Sequence, residues 1–207
     1  VTKSWPSRRT APAVRKGDLR ERQILDAAET LLVTRGYADM TVSDIAAAAG
    51  LTRGALYFYF ASKQDVLIAL VARTVQALQE KSAAASTATG PVEEVVSTTL
   101  ERTAALWREH GPVMRAAVDL SSTVPDIDEL WTGTADVFAE AIAAVLQRAG
   151  TPPGDGPGDA AALGHALCWM IERTFYQATR TSDDGLDDAT QTCRTVWLHV
   201  MNTGSAG

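Results

Sequence analysis

Between Thr41 and Lys63 the chain reads TVSDIAAAAGLTRGALYFYFASK, and its chemistry is concentrated in a few outward-facing groups. If Leu56 and Phe60, four apart, form the inner face of a short helix, then Arg53, Gly54, Ala55, Tyr57 and Tyr59 are left outside. A guanidinium and two phenols on one exposed turn are suited to a polyanion with hydrogen-bonding edges. The spacing predicts a helix-turn-helix that lays a helix of about seven residues in the major groove of DNA.

The elements that would hold these groups are punctuated by their caps. Thr41 with Asp44, and Ser62 with Asp65, have the capping-box spacing, so each marks a helix start. Ile45, Ala46 and Ala49 give the first helix an apolar stripe, Gly50 stops it, and Thr52 can cap the next. Upstream, Ile24, Ala28, Leu31 and Leu32 recur at helical spacing until Gly36, giving a helix able to pack behind the other two. Downstream, Val66, Leu67, Leu70, Val71, Val75 and Leu78 predict a long helix from Lys63 to about Ala84. At 1.5 Å per residue it would span roughly 30 Å, enough to serve as a mechanical link to a second domain.

Net charge is −6, which taken alone argues against a nucleic-acid partner, but the charge is uneven. Residues 1–66 carry ten Lys/Arg against seven Asp/Glu, whereas 67–207 carry nine against eighteen. That asymmetry suits a small DNA-facing module on an acidic body, although an ordinary soluble domain could show the same acidity. Residues 1–17 read as a flexible basic arm, either a solvated tail or a segment in which Arg8 and Arg9 reach the minor groove. No apolar run reaches the ~18 residues of a membrane span and no secretory pattern is found, so a cytoplasmic location is expected.

Beyond Gly90-Pro91 only helical periods occur. One helix is expected to break at Gly111-Pro112 and a short one at Pro125. Another ends at the Gly- and Pro-rich loop after Gly150, and two more cover about 159–181 and 186–203. The fold class is all-α, with about nine helices. The domains expected are the arm 1–17, a helix-turn-helix domain 18–65, and a helical ligand-binding and dimerisation domain 66–207. The run Leu167 to Ile171 points apolar groups around most of a helix, which fits either a central helix within one subunit or a symmetric dimer interface. The dimer fits better, because two short recognition helices must sit one DNA turn apart to read enough base pairs.

The segment TVSDIAAAAGLTRGALYFYFASKQDVL, preceded by ILDAAETLLVTRGY, resembles the DNA-binding domain of the tetracycline-repressor family of bacterial regulators. Glu129-Leu130-Trp131, the run MIERTFY at 170–176 and Trp197 further resemble the subgroup of the ethionamide-linked mycobacterial repressor. The resemblance implies an all-helical homodimer that binds a DNA operator as a repressor and is released by a small molecule held in the C-terminal domain. It implies that Thr41 and Ser43 meet phosphates and that Thr52, Arg53, Gly54 and Ala55 open the recognition helix. Tyr57, Tyr59 and Lys63 match phosphate-gripping positions. Packing against the first helix is the alternative for the tyrosines, and a solvated charge for the lysine. Arg53 is the expected base reader, because guanidinium bonds bidentately to guanine O6 and N7. Gly54 departs from the Pro or Ser often found there and removes a possible thymine-methyl contact.

For the effector, Trp107, Met114, Trp131, Phe138, Trp169, Tyr176 and Trp197 supply rings and a thioether suited to an apolar pocket. Each taken singly would serve equally as core. Other classes are less well provided for. His165 and Cys168 share a helix face at i, i+3, but two ligands do not close a metal site. Cys168 and Cys193 could form a redox sensor, or be small buried hydrophobes. There is no nucleophile elbow, Walker A loop, Rossmann glycine pattern or zinc-protease motif, so neither enzyme activity nor a cofactor is expected. An activator, or a regulator without a ligand, stays open.

Overall fold

The structure, a computed structural model, describes residues 16–86, 90–154, 156–181 and 185–204, and within these the side chains of 17–80, 90–154, 156–181 and 185–202. The arm expected over 1–17 therefore lies almost wholly outside the described residues. The chain divides into two compact units, Val1–Val66 and Leu67–Gly207.

In the first unit α1 (Lys16–Asp39) packs on α2 (Val42–Ala48), and α2 on α3 (Arg53–Leu56). Gly36 interrupts α1 with φ 77° and ψ 166°, a backbone that a residue with a Cβ rarely adopts. The α2 start is closed by a reciprocal box. The Asp44 N–H donates to Thr41 Oγ1 at 3.2 Å, and the Thr41 N–H donates to Asp44 Oδ2 at 2.9 Å. Its end is a Schellman turn: Leu51 N–H donates to the Ala46 carbonyl and Gly50 N–H to that of Ala47, with Gly50 at φ 65°. Ile24, Ala28, Leu32, Met40, Ile45, Ala46, Leu56 and Phe60 are buried between these helices.

In the second unit α5 (Val92–Ser121) lies against α6 (Pro125–Arg148), α7 (Ala160–Ala178) and α8 (Gly185–Gly204). Helix α6 also packs on α7, and α7 on α8. The helix α4 (Lys63–Ser86) starts in the first unit and continues in the second, where Leu67, Leu70, Val71, Val75 and Leu78 are buried. Eight helices, rather than about nine, occur among the described residues. The expected break at Gly111-Pro112 does not occur, and α5 runs through it. Proline removes one ladder bond there, a cost of about 3 kcal/mol. Burial of Val113, Met114, Ala116 and Ala117 on the far side outweighs it. Pro125, by contrast, opens α6 at a position where its missing N–H costs nothing.

Helices α6 and α7 meet along small residues. A Cβ built on Gly164 would lie 2.6 Å from the Ala139 carbonyl oxygen and 3.1 Å from the Ala143 Cβ, so only glycine permits the crossing. One turn further on, the Cys168 thiol donates to the Ala135 carbonyl at 3.4 Å.

Candidate functional site

Two sites emerge, one in each unit. At the first, Thr52 caps α3 by accepting from the Ala55 N–H at 3.1 Å, which fixes the backbone of the turn carrying Arg53. The α-helical part is shorter than the seven residues expected. Its hydrogen bonds continue as tight turns, Phe58 N–H to the Ala55 carbonyl and Tyr59 N–H to that of Leu56, until Leu56 also accepts from Phe60. Leu56 and Phe60 are buried and form the inner face. Outside stand Thr52, Arg53, Gly54, Tyr57 and Tyr59, all exposed, with Ala55 half-buried.

Arg53 is held by its own helix. Its Nε and one terminal nitrogen donate to the Tyr57 hydroxyl at 3.2 and 3.0 Å, and the guanidinium lies 5.5 Å from the Tyr57 ring centre. Thr41 and Ser43 are exposed at the start of α2. Asp44 is tied to both Thr41 and Arg35, the latter at 3.1 Å. The Thr41 hydroxyl above all, then its N–H and the Arg35 charge, hold the Asp44 carboxyl below the usual aspartate value. Lys63 is placed differently from a solvated charge. Its ammonium donates to the Tyr37 carbonyl at 2.8 Å and lies 4.3 Å from the Tyr37 ring centre, closing the end of α1.

Sequence reasoning missed Phe58, which at 91% exposure is the most open large apolar side chain of the described residues. The signal was present: in LYFYF the two inward positions are taken by Leu56 and Phe60, so Phe58 had to face out with its neighbours.

The second site is a cavity of about 490 Å³ within the C-terminal unit, inside the range of sites that take drug-sized molecules. Of the residues expected to hold an effector, Trp107 and Met114 from α5, Trp131 and Phe138 from α6, and Trp197 from α8 line it. Trp169 and Tyr176 lie outside this lining. Trp169 sits on the outer side of α7, 39% exposed, because the inward positions of that helix are taken by Cys168 and Ile171. Tyr176 is buried elsewhere. Its hydroxyl donates to Asp119, which raises its pKa, and its ring packs against the guanidinium groups of Arg173 and Arg180.

Glu172 was also missed, because beside Arg173 and Thr174 it reads as part of a solvated helix face. It lines the cavity with its side chain only 12% exposed. Burial raises its pKa against the opposing effects of Arg173 and a hydrogen bond from Trp131.

The rival chemistries fare poorly. Burial, aided by the charges of Glu172 and Asp136, pushes the Cys168 thiol up to about 12, and burial also raises Cys193, so neither is poised as a thiolate. His165 is exposed and faces Asp136 at 3.9 Å while Cys168 is buried. Among the described residues no further His, Cys, Asp or Glu completes a metal site with them. No helix among the described residues is long and apolar enough to cross a membrane.

Comparison with known proteins bears on both units. Residues 24–70 match the family "Bacterial regulatory proteins, tetR family", and residues 96–202 match "Transcriptional regulator EthR, C-terminal domain". The chain is 34% identical over 188 residues to the HTH-type transcriptional regulator EthR of Mycobacterium tuberculosis, covering 85% of each chain. It is 33% identical over 174 residues to the HTH-type transcriptional repressor LfrR of Mycolicibacterium smegmatis, covering 83% of this chain and 86% of that one. A tetR-family regulator from Streptomyces coelicolor superposes with a TM-score of 0.73 at 19% identity, over 91% of this chain and 83% of that structure, which speaks to the fold alone. Regulators of this family bind DNA operators and small effectors and are not enzymes. A capped helix-turn-helix and an all-helical second unit, each matched by its own family model, make this chain a member of the tetR family of transcriptional regulators with a C-terminal domain of the EthR type.

Proposed function

We propose that the protein is a homodimeric repressor that binds a pseudo-palindromic operator and is released by a small hydrophobic effector. The observation that carries this reading is the pairing, in one chain, of an exposed Arg53–Tyr57–Phe58–Tyr59 tip with a 490 Å³ cavity walled by Trp107, Trp131 and Trp197. Residues 18–65 would form the DNA-binding domain and 66–207 the ligand-binding and dimerisation domain.

On DNA, Arg53 would read a guanine, and Phe58 would cover a thymine methyl, the contact that Gly54 cannot make. Thr41, Ser43, Thr52, Tyr57 and Tyr59 would set register through phosphates, with Ala55 admitting close approach. Lys63 adds charge there, but its donors already serve α1, so its first role is to hold that helix end.

Dimerisation would use α7 and α8. Trp169 and Val196, 39% and 37% exposed, are the large apolar side chains those helices leave to solvent. A two-fold axis there would set two recognition helices ~34 Å apart. The expected effect of Trp169→Glu is a monomer by sedimentation and loss of operator binding with the helical content kept; a dimer of undiminished affinity would sink this interface.

Release follows from differential affinity: ~100-fold derepression needs an effector that prefers the non-binding conformation by about 2.7 kcal/mol. The α4 helix is the covalent path from one unit to the other. The test is fluorescence anisotropy of the full chain on DNA adjoining its own coding region, titrated with apolar compounds. A saturating cavity ligand that leaves operator affinity unchanged would refute release.

A further inference from the structure

We infer that the effector is a lipophilic amine, an apolar body whose protonated nitrogen pairs with the Glu172 carboxylate inside the cavity. This rests on the reading of the cavity as the effector site.

Four charged side chains line that cavity: Arg102, Glu109, Arg148 and Glu172. The first three are exposed, and Arg148 is further engaged by donating to the Gly90 carbonyl at 3.0 Å. Glu172 alone among them is withdrawn from water. The other lining residues are mostly rings, aliphatic groups and threonines, so an anionic ligand would meet repulsion from Glu172 without a buried cation to offset it.

The carboxylate is incompletely satisfied. An ionised carboxylate offers about four acceptor positions, and the Trp131 indole is the one side-chain donor among the described residues that bears on it. Arg173, 58% exposed, approaches only to 3.8 Å, beyond hydrogen-bonding distance, and Asp136, the other charge near this stretch of α7, is acidic. Burial disfavours the charged form of Glu172, and a cation brought against it would remove that penalty.

The cavity thus holds one buried anion amid rings that favour cations over their faces. Its complement is an amine with an aromatic or aliphatic body.

The test uses 4-phenoxybutylamine, 4-phenoxybutanol and 4-phenoxybutanoate, which share a body and an ether oxygen and differ in terminal charge. Each is titrated into the full-length protein at pH 7.5 by calorimetry, with tryptophan fluorescence in parallel. The amine should bind about tenfold or more tighter than the alcohol, and the acid weakest. Glu172→Gln should collapse the amine-to-alcohol ratio to near one, whereas Glu140→Gln, at an exposed α6 carboxylate outside the cavity lining, should leave it intact. An amine that does not lead the ranking, a preference that survives Glu172→Gln, or one lost in Glu140→Gln would overturn the proposal while leaving the cavity as an effector site. If Glu172→Gln does not fold, the ranking and the Glu140→Gln result still decide. Were none of the three to bind, the cavity reading itself would fall.

Discussion

The α3 turn and the C-terminal cavity use aromatic side chains in opposite ways. At α3 three successive rings, Tyr57, Phe58 and Tyr59, stand exposed, and all that positions them lies within some twenty residues: two caps, a Schellman turn and the inward pair Leu56 and Phe60. In the cavity the rings come from α5, α6 and α8, no two of them neighbours in sequence, and each is held by packing rather than by a local bond. One site is made by short-range chemistry, the other by long-range burial. They should therefore fail differently when altered.

The largest effect is expected from Trp197→Ala, which empties a fully buried position and should cost about 3–5 kcal/mol of unfolding free energy in the C-terminal unit. Trp197→Phe separates volume from polarity. Because the Nε1–H has no hydrogen-bond acceptor among the described residues, the phenylalanine should cost far less, and an equal loss in chemical denaturation would show that the indole N–H has a partner after all. Next in size is Arg53→Ala, with about 1–3 kcal/mol lost in specific binding, a smaller loss on random DNA, and a denaturation midpoint hardly moved. Equal losses on both DNAs would reduce Arg53 to a phosphate contact and blur the contrast between a reading site and a packing site.

Thr41→Ala should have the smallest effect, about 1 kcal/mol, as for other N-caps, and confined to the first unit. Its pH dependence is a sharper check. The Asp44 carboxyl is held below its unfolded value, so the box stabilises the fold above the ordinary aspartate range and that contribution disappears as pH falls through the depressed folded value. In Thr41→Ala this acid-limb loss should shrink. A stability profile unchanged between the two proteins at low pH would show that Arg35, not the cap, dominates.

The same contrast explains what could be read from sequence. Thr41, Asp44, Gly50 and Thr52 announce their conformations through local hydrogen-bonding chemistry, and the structure has the caps and turn they imply. Gly111-Pro112 carries an equally strong local signal, yet long-range burial of α5 overrode it. For the cavity, helical periodicity gives an apolar face but not the neighbour it meets. Hence Trp131 and Trp197, expected together, both line the cavity, whereas Trp169 lies on the outer side of α7 and Tyr176 in a neighbouring cluster around Asp119. Glu172 escaped notice because a charge on a helix ordinarily marks a solvated face, and only the packing of α7 reveals that this one is not.

The buried cysteines have a practical corollary. With its thiol pushed up to about 12 by burial, Cys168 stays protonated near neutral pH, and the raised value at Cys193 works in the same sense. Alkylating reagents should pass both by while the fold is intact. A single cysteine introduced at Val33, 62% exposed on α1, would then report alone, so a label placed there could follow the first unit without removing either native thiol.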